Sequence, residues 1–516
     1  MLPIVVAAAV RDWWAPDEPR YAQVAREIYE TGQFLVMHLC GSLYPDKPPL
    51  LYWSSGFFGW LTGWNELAMR VPSLVATFLT AWLVARIAGR WWGAAAARWS
   101  PAVFLTFAMV TEIGGRLQID PLLTLLTTAA LELVTRGDTS PRATLRVLAA
   151  GVLVGLGGLA KGPVALINVG LPIAMWAWLG PRRALPRVRP VTWVAAIVIG
   201  IAIPVVWAVA AALQEPALWS ELFFGQHAGR VTQADRHPGP PWKNLLRMPI
   251  WLLPWTGAVI AGLVRAWRDR RSSTSSRDGL LLAAAWLAVL FVFYSAIPPK
   301  RDLYLLPAYP AAALLGGWIV ADGIRRGALS RWITWTASIP LVVLGAAVCG
   351  AVFATDVLPG LAWRGPAAGL PLVVGGVASL VSLRRGPREW ARAVVVTWAV
   401  FATVVALALM PPMDPLKSAR GVALELAARP ERPTAIGCYG VQPEGYRFYS
   451  DGRAPTVRGE DLAADLEREG DDFLALVHSD EWQTVAPALK ARMRILSEHQ
   501  VGSKTFVVVG AQPTGR

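Results

Sequence analysis

Asp17-Glu18-Pro19-Arg20-Tyr21-Ala22 and then Tyr44-Pro45-Asp46-Lys47-Pro48-Pro49-Leu50 open a chain that turns hydrophobic from there almost to its C-terminal tail. Charge is concentrated beside apolar stretches long enough to enter a bilayer. Ionised groups at a membrane are retained mainly where they work, so this junction is the first candidate site. It has the groups needed to handle an anionic, lipid-linked molecule: acids, an arginine and a lysine at the mouth of a helical bundle.

Composition agrees with the membrane reading. Of 516 residues, 54% are hydrophobic, only 16% are charged and 26 are Trp; mean hydropathy is +0.42. Soluble domains are seldom this apolar, and the class is an α-helical polytopic membrane protein. The net charge of +14 would suggest nucleic acid in a soluble chain. Here the arginines cluster between apolar spans, as topology determinants do, and nucleic-acid binding is set aside. Three cysteines, Cys40, Cys349 and Cys438, lack the paired spacing of a disulfide framework or a metal-thiolate site.

Apolar stretches of roughly twenty residues mark the spans. They fall near 68–87, 94–111, 118–135, 145–160, 163–180, 190–213, 247–264, 279–297, 303–322, 332–354, 367–383 and 391–411. The opening run, Leu2 to Val10, is too short to cross a bilayer that needs about twenty residues. It reads as a stub, or as the end of a helix begun upstream of the stated start; a cleaved signal peptide would want a basic region ahead of it. With the stub counted, alternate loops divide by charge. One set holds Arg86 and Arg90, Arg136 to Arg146, Arg182 to Arg189, Arg265 to Arg277, Arg325 to Arg331 and Arg384 to Arg392, and is assigned to the cytoplasm. The other set faces outward: 11–67, 112–117, the Lys161 turn, 214–246, 298–302, 355–366 and everything after about 412. About thirteen crossings and an exported tail follow from that alternation.

The first outward loop, 11–67, is more than a linker. Tyr21 to Tyr29 gathers Val24, Ala25 and Ile28 on one face, an amphipathic helix suited to the membrane surface. Leu50 to Trp64 is rich in aromatics and suits the interface. The domain boundary falls at 411: residues 1–411 form the membrane domain, and 412–516 form a small α/β domain. In that tail, apolar runs at Thr434 to Gly440, Phe473 to Val477 and Lys504 to Val509 alternate with helical patterns near Ser418, at Asp461 to Arg468 and at 482–493. It carries no glycine-rich phosphate loop.

Each candidate residue has a structural and a chemical reading. Asp17 and Glu18 suit the first turn of a helix with Pro19, and equally suit catalysis. Lys47, followed by two prolines, can snorkel to headgroups or hold a phosphate. Asp120 caps a helix at the membrane edge or works there. Lys161, in Ala160-Lys161-Gly162-Pro163, breaks two apolar helices on the outward side, as an interface anchor or a ligand. His227, with an acid from the first loop, is a candidate metal ligand, and Arg230 a candidate bidentate phosphate clamp. Pro299-Lys300-Arg301-Asp302-Leu303-Tyr304 places two cations and a phenol at an outward turn, against the positive-inside pattern, which favours a ligand.

Asp17 to Ala22, Tyr44 to Trp53, Arg116-Leu117-Gln118-Ile119-Asp120, Leu159-Ala160-Lys161-Gly162-Pro163 and Lys300 to Pro307 resemble, in order, the motifs of bacterial glycosyltransferase family 39. That family is related to the aminoarabinose transferase that modifies lipid A and to protein O-mannosyltransferases. The resemblance implies a GT-C membrane bundle of about twelve to thirteen transmembrane helices, with amphipathic helices in its periplasmic loop. It implies transfer of a sugar from a polyprenyl-phosphate carrier on the periplasmic side. By position, Asp17 resembles the first-loop catalytic aspartate and Asp120 the second acid. Arg20, Lys47 and Arg230 resemble the cations around the carrier phosphate, and Tyr44 and Tyr304 the cavity tyrosines. Asp46 with His227 resembles a divalent-metal pair, Zn or Mg, although the aminoarabinose enzyme carries Glu where this chain has the shorter Asp46.

The chemistry expected is attack on the anomeric carbon with a lipid phosphate leaving, Asp17 taking or orienting the acceptor proton, and one displacement giving inversion. No Asp-x-Asp motif for a nucleotide sugar is present, as a lipid-linked donor would have it. The acceptor expected is a lipid A-like or other cell-envelope molecule at the bacterial inner membrane. Two alternatives stand beside it: a protein O-glycosyltransferase, differing in acceptor, and a lipid-anion transporter or flippase. The latter predicts inverted repeats and helices broken at mid-membrane, and no internal repeat is evident.

Overall fold

The structure, a computed structural model, describes residues 1–136, 142–179, 185–220, 239–272, 275–351, 363–502 and 504–512. Every one of the twelve apolar stretches holds helix. Among the described residues, eight helices are long and apolar enough to cross a bilayer, or nine if the pair Lys243–Trp251 and Thr256–Arg271, bent by 113°, counts as one. The shortfall from twelve has local causes. The stretch from 94 to 111 divides into Ala94–Leu105 and Ala108–Ile113 around Thr106-Phe107. Ile119–Val134 and Val164–Leu179 are both 16 residues long, the first starting after the extended Gln118 and the second after the chain reversal at Gly162. The opening helix, Leu2–Val10, is as short as expected.

Contacts gather the chain into two units. The first comprises residues 1–8, 45–51 and 70–409, an all-helical bundle. Its helices approach closely through small residues. Gly151, Gly155 and Gly158 line one side of Arg142–Lys161 against Ala196, Ile203 and Pro204 of Pro190–Gln214. A Cβ on Gly151 would stand 2.8 Å from the Ala196 Cα, so the helices meet backbone to backbone. In lipid, where apolar burial adds little drive, such contact is how helices associate. Some polar side chains inside the bundle bond to backbone carbonyls: Thr77 Oγ1 donates to that of Gly114 at 2.9 Å and Arg70 Nη1 to that of Ala8 at 2.7 Å.

The second unit comprises 9–44, 52–69 and 410–516. This grouping differs from the boundary placed at 411, because most of the first loop packs with the tail. Its centre is a five-stranded mixed sheet of order β4-β3-β5-β7-β6, with β3 Ile436–Tyr439, β4 Thr456–Arg458, β5 Leu474–His478, β6 Met493–Val501 and β7 Lys504–Ala511. Alternation puts Leu474 and Leu476 on one face with Phe506 and Val508, under Val422, Ala423 and Leu426 of the helix Arg420–Ala428. Phe473, Ala475 and Val477 face the other way with Leu466 of Leu462–Glu469. The helix expected at 482–493 divides into Ser479–Thr484 and Pro487–Lys490, and β6 begins at Met493. Pro487 starts the second piece, where a missing N–H costs nothing.

The amphipathic helix expected at 21–29 runs from Asp17 to Thr31 and ends on Gly32, whose φ of 73° is left-handed as a terminating glycine's is. It is not laid bare on a membrane surface. Tyr21, Val24, Ala25 and Ile28 are buried, and so are its polar Gln23 and Glu27, because the helix Glu444–Tyr449 of the tail covers it. Leu50–Thr62 does keep an exposed apolar side at Phe57, Trp60 and Leu61, suited to the interface.

Candidate functional site

Within the helical unit, one cluster forms around Asp120. Gln118 is extended and the helix begins at Ile119, so Asp120 sits in its first turn, where an acid opposes the dipole favourably. Lys161 occupies the last turn of Arg142–Lys161, the complementary position, and the chain then reverses at Gly162, whose φ is +78°. Lys161 Nζ donates to Asp120 Oδ1 at 2.5 Å and lies 4.3 Å from the centroid of the Tyr304 ring. Asp120 is only 2% exposed. Tyr304 in turn lies 6.5 Å, centroid to centroid, from Tyr294, whose hydroxyl donates to Asn168 Oδ1 at 2.9 Å. Three residues that the sequence nominated separately, Asp120, Lys161 and Tyr304, thus form one polar cluster. Tyr294 and Asn168 went unnominated, although an amide within an apolar helix was a usable signal.

The remaining cations of this unit have other settings. Lys300 is buried, its ammonium donates to the Ile297 carbonyl, and its own carbonyl accepts from Lys243 Nζ at 3.0 Å. Burial and the neighbouring Lys243 pull its pKa down. Arg301 is half-buried just ahead of the 3₁₀ helix Asp302–Ala308, and Asp302 pairs with Arg247 at 2.8 Å. The hydrogen bonds of Lys300 run to Ile297 and Lys243, not to the Asp120 cluster. Asp46 and Lys47 are half-buried in the turn ahead of Leu50.

Within the second unit, the first turn of Asp17–Thr31 carries the other acids. Asp17 is 5% exposed and stands 3.8 Å from Arg20 Nη2. The Arg20 guanidinium also reaches Glu444 Oε1 at 3.6 Å, a partner supplied by the tail that the sequence did not nominate. Burial works against the charged form of Arg20, but Tyr44, Glu444 and Asp17 outweigh it and hold its pKa above the ordinary value. For Glu444 the balance is opposite: burial raises its pKa above the usual carboxylate range despite Arg20. Glu18, nominated with Asp17, has a structural partner. Arg11 Nη2 donates to its Oε1 at 3.1 Å, Arg11 Nη1 stands 3.1 Å from Oε2 as an ion pair, and Oε2 accepts the Trp14 N–H at 3.4 Å.

Tyr44 is placed by a short hairpin, β1 His38–Leu39 and β2 Ser42–Leu43. Its tight turn at Cys40 and Gly41 has positive φ at both residues, and Glu27 holds it by accepting Cys40 N–H at 2.7 Å and Gly41 N–H at 3.2 Å. The Tyr44 ring then meets Tyr52 edge on, 6.3 Å between centroids, and Tyr52 meets Tyr21 at 5.9 Å. The three rings pack against one another and are buried. His227 and Arg230 lie outside the described residues. Among the described residues no group of three or more His, Cys, Asp or Glu could hold a metal ion; His227 is not among them, and Asp46 belongs to no such group.

The chain is similar to known proteins in sequence and in fold. The model of the family described as dolichyl-phosphate-mannose-protein mannosyltransferase matches residues 4–220. The undecaprenyl phosphate-alpha-4-amino-4-deoxy-L-arabinose arabinosyl transferase of Erwinia tasmaniensis is 32% identical over 317 residues, 60% of this chain and 56% of that protein. Its namesake from Yersinia enterocolitica is 27% identical over 404 residues, 73% of this chain and 69% of that protein. The chain thus matches little more than half the length of the first of these relatives. Among solved structures, ArnT from Cupriavidus metallidurans bound to undecaprenyl phosphate superposes with a TM-score of 0.76 at 21% identity, covering 99% of this chain and 96% of that one. The apo oligosaccharyltransferase of Archaeoglobus fulgidus gives 0.50 at 9% identity, covering 92% and 69%.

A helical membrane bundle followed by a small sheet-containing region, with acids and cations where the first loop and the helix breaks present them, defines a multi-pass membrane protein of the GT-C fold. Within that class the chain is similar, over part of its length, to the dolichyl-phosphate-mannose-protein mannosyltransferase family and to the aminoarabinose transferases.

Proposed function

We propose that the chain is an integral-membrane glycosyltransferase that moves a sugar from a polyprenyl-phosphate donor to a lipid A-like or other cell-envelope acceptor. The observation that carries this reading is the buried Asp120–Lys161 pair beneath Tyr304, a cation and an acid kept at a helix break in an apolar bundle. The names of the relatives, arabinosyl transferases using an undecaprenyl-phosphate sugar, support the donor class. The alternation of arginine-rich loops supports a bacterial inner-membrane protein with its site and tail on the periplasmic face.

In this mechanism the acceptor hydroxyl attacks the anomeric carbon from the face opposite the carrier. The bond from that carbon to the phosphate oxygen breaks and its electron pair stays on the polyprenyl phosphate. Asp17, raised on the first turn of its helix, accepts the hydroxyl proton. Charge grows on the leaving phosphate, and cations gathered against it stabilise the transition state more than the ground state. By their places in the sequence motifs, Lys47, Arg20, Lys161, Arg230, Lys300 and Arg301 are the candidates for that role. Asp120 holds the Lys161 ammonium in place. Tyr44 and Tyr304 wall the sugar. A single displacement inverts the anomeric configuration. Glu18, gripped by Arg11, keeps the 11–18 segment in register with Asp17.

A divalent ion, Zn or Mg, on Asp46 and His227 is part of the proposal. Bound there it would neutralise anionic oxygens, and loss of transfer after chelation, restored by adding the ion back, is the expected result. The test of the function itself is reconstitution with radiolabelled polyprenyl-phosphate sugars and native lipid extract. Label appearing in lipid supports the reading. Label appearing only in protein moves the acceptor to a polypeptide, the acceptor class in the name of the matched mannosyltransferase family. Movement of intact donor across the bilayer without release of sugar identifies a flippase.

A further inference from the structure

Asn168 and Tyr294 meet inside the helical unit, and the transfer mechanism gives neither of them a role. Asn168 lies in the apolar helix Val164–Leu179 and is 0% exposed; Tyr294, in the last turn of Ser275–Ala296, is 4% exposed. The Tyr294 hydroxyl donates to Asn168 Oδ1 at 2.9 Å. Its backbone carbonyl belongs to the turn where a helix offers no partner of its own. That carbonyl accepts from Asn244 Nδ2 at 3.1 Å, and the same nitrogen donates to Ser295 Oγ at 3.2 Å. Two asparagines from two further helices, Val164–Leu179 and Lys243–Trp251, thus hold one tyrosine, one at its hydroxyl and one at its backbone. Burying an amide in an apolar bundle is unfavourable unless it makes bonds. For Asn168 the account is incomplete, since its Nδ2 is buried and has no partner among the described residues. A leucine would fill the same space without that penalty, so the bond to Tyr294 is what the amide supplies.

The neighbour of Tyr294 gives the reason for holding it. Tyr304 is half-buried on the 3₁₀ helix Asp302–Ala308, an element whose hydrogen bonds are poorer than an α-helix's. Its ring lies 4.3 Å, at the centroid, from the Lys161 ammonium, and the Tyr294 ring lies 6.5 Å from it at 43°. A cation is attracted to the face of a ring, so it follows the ring's orientation. Asp120 restrains the ammonium by one bond of 2.5 Å; its other restraint is Tyr304, whose ring leans towards Tyr294. Given the transferase reading, on which this rests, we infer that Asn168 and Tyr294 are positioning residues for transfer. Their hydrogen bond fixes the Tyr294 ring as a backstop for Tyr304, and through Tyr304 it sets the direction in which Lys161 presents its ammonium. Neither residue needs to touch the donor. An ammonium that meets a leaving phosphate acts chiefly in the transition state, so misdirecting it lowers kcat and spares KM.

The test is made on the full chain in proteoliposomes, with the concentration of a radiolabelled polyprenyl-phosphate sugar varied in native lipid extract and the release of sugar timed. Tyr294→Phe removes only the hydroxyl, and Asn168→Leu replaces the amide by an apolar group of similar shape. Each is expected to lower kcat about tenfold and to leave KM for the donor within about twofold of wild type. Each strands a buried partner, so each also lowers the unfolding temperature. The double variant strands neither, and is expected to regain the unfolding temperature while kcat stays about tenfold down. Ser379→Ala breaks a buried bond elsewhere in the bundle, 2.6 Å to Ser338 Oγ, and is expected to lower the unfolding temperature alone. Wild-type kcat in either single variant, recovery of kcat together with the unfolding temperature in the double variant, or a loss that appears in KM instead of kcat would each overturn the positioning role. Should Asn168→Leu fail to fold, Tyr294→Phe decides. Absence of transfer by the wild type would instead remove the transferase reading, and this role with it.

Discussion

Asp120 and Lys161 are legible in the sequence as polar residues at breaks between apolar helices, but nothing in their spacing says that they touch. They are 41 positions apart, and only the packing of two helix ends brings Nζ and Oδ1 to 2.5 Å. Breaking a buried pair strands the surviving charge, at a cost of about 3–5 kcal/mol. Asp120→Asn and Lys161→Met are therefore each expected to lower the unfolding temperature, and the double variant to recover most of that loss without recovering transfer. Transfer restored in the double variant would reduce the pair to a structural role. Glu444 was not legible at all, because its partner Arg20 lies more than four hundred residues away. Its folded-state pKa is raised, chiefly by burial. The stabilisation linked to its proton is complete below the ordinary glutamate value and is lost as pH rises through the folded-state value. Thermal unfolding of the wild type should therefore fall across that window, and Glu444→Gln should flatten the slope; an unchanged slope would contradict the assignment.

At the scale of elements, periodicity locates helices well and says less about what covers them. Each of the twelve apolar stretches holds helix among its described residues, because about twenty apolar residues have little alternative in lipid. The Asp17–Thr31 helix was expected on a membrane surface because its apolar stripe, Val24, Ala25 and Ile28, needs a cover of some kind. Amphipathicity does not distinguish lipid from protein, and the cover is the Glu444–Tyr449 helix. Sequence also placed one helix at 482–493 where Pro487 divides it in two. The glycines of Arg142–Lys161 give an element its sharpest test. Gly151→Val would push a side chain against the Ala196 backbone, at a cost of about 1–3 kcal/mol. The expected result is a lower unfolding temperature. Gly170→Val, where a Cβ meets nothing within 4 Å, should leave it unchanged.

For the molecule as a whole, the sequence announces a membrane bundle and a small α/β tail, and both are present, yet the boundary at 411 does not describe how the chain groups. Residues 9–44 and 52–69 join the tail instead of the helices that follow them. Hydropathy could not have shown this, since the joining contacts, apolar ones such as Trp13 on Phe448 and polar ones such as Arg26 with the Phe448 carbonyl at 3.1 Å and Arg447 with Glu27 at 3.9 Å, are remote in sequence. The orientation carried by the arginine loops predicts that a cysteine introduced at Arg384 reacts with an impermeant thiol reagent only from the cytoplasm, and one at Arg453 only from outside, in a background lacking the three native cysteines. The most direct test of the transferase reading is release of sugar from its carrier. In proteoliposomes given a polyprenyl-phosphate sugar and acceptor lipid, wild type is predicted to yield free polyprenyl phosphate and glycosylated lipid in equal amounts with inverted configuration. Asp17→Asn is predicted to yield at least about a hundredfold less of both while remaining folded. Undiminished release by Asp17→Asn, or carrier movement with the sugar still attached in wild type, would contradict the account.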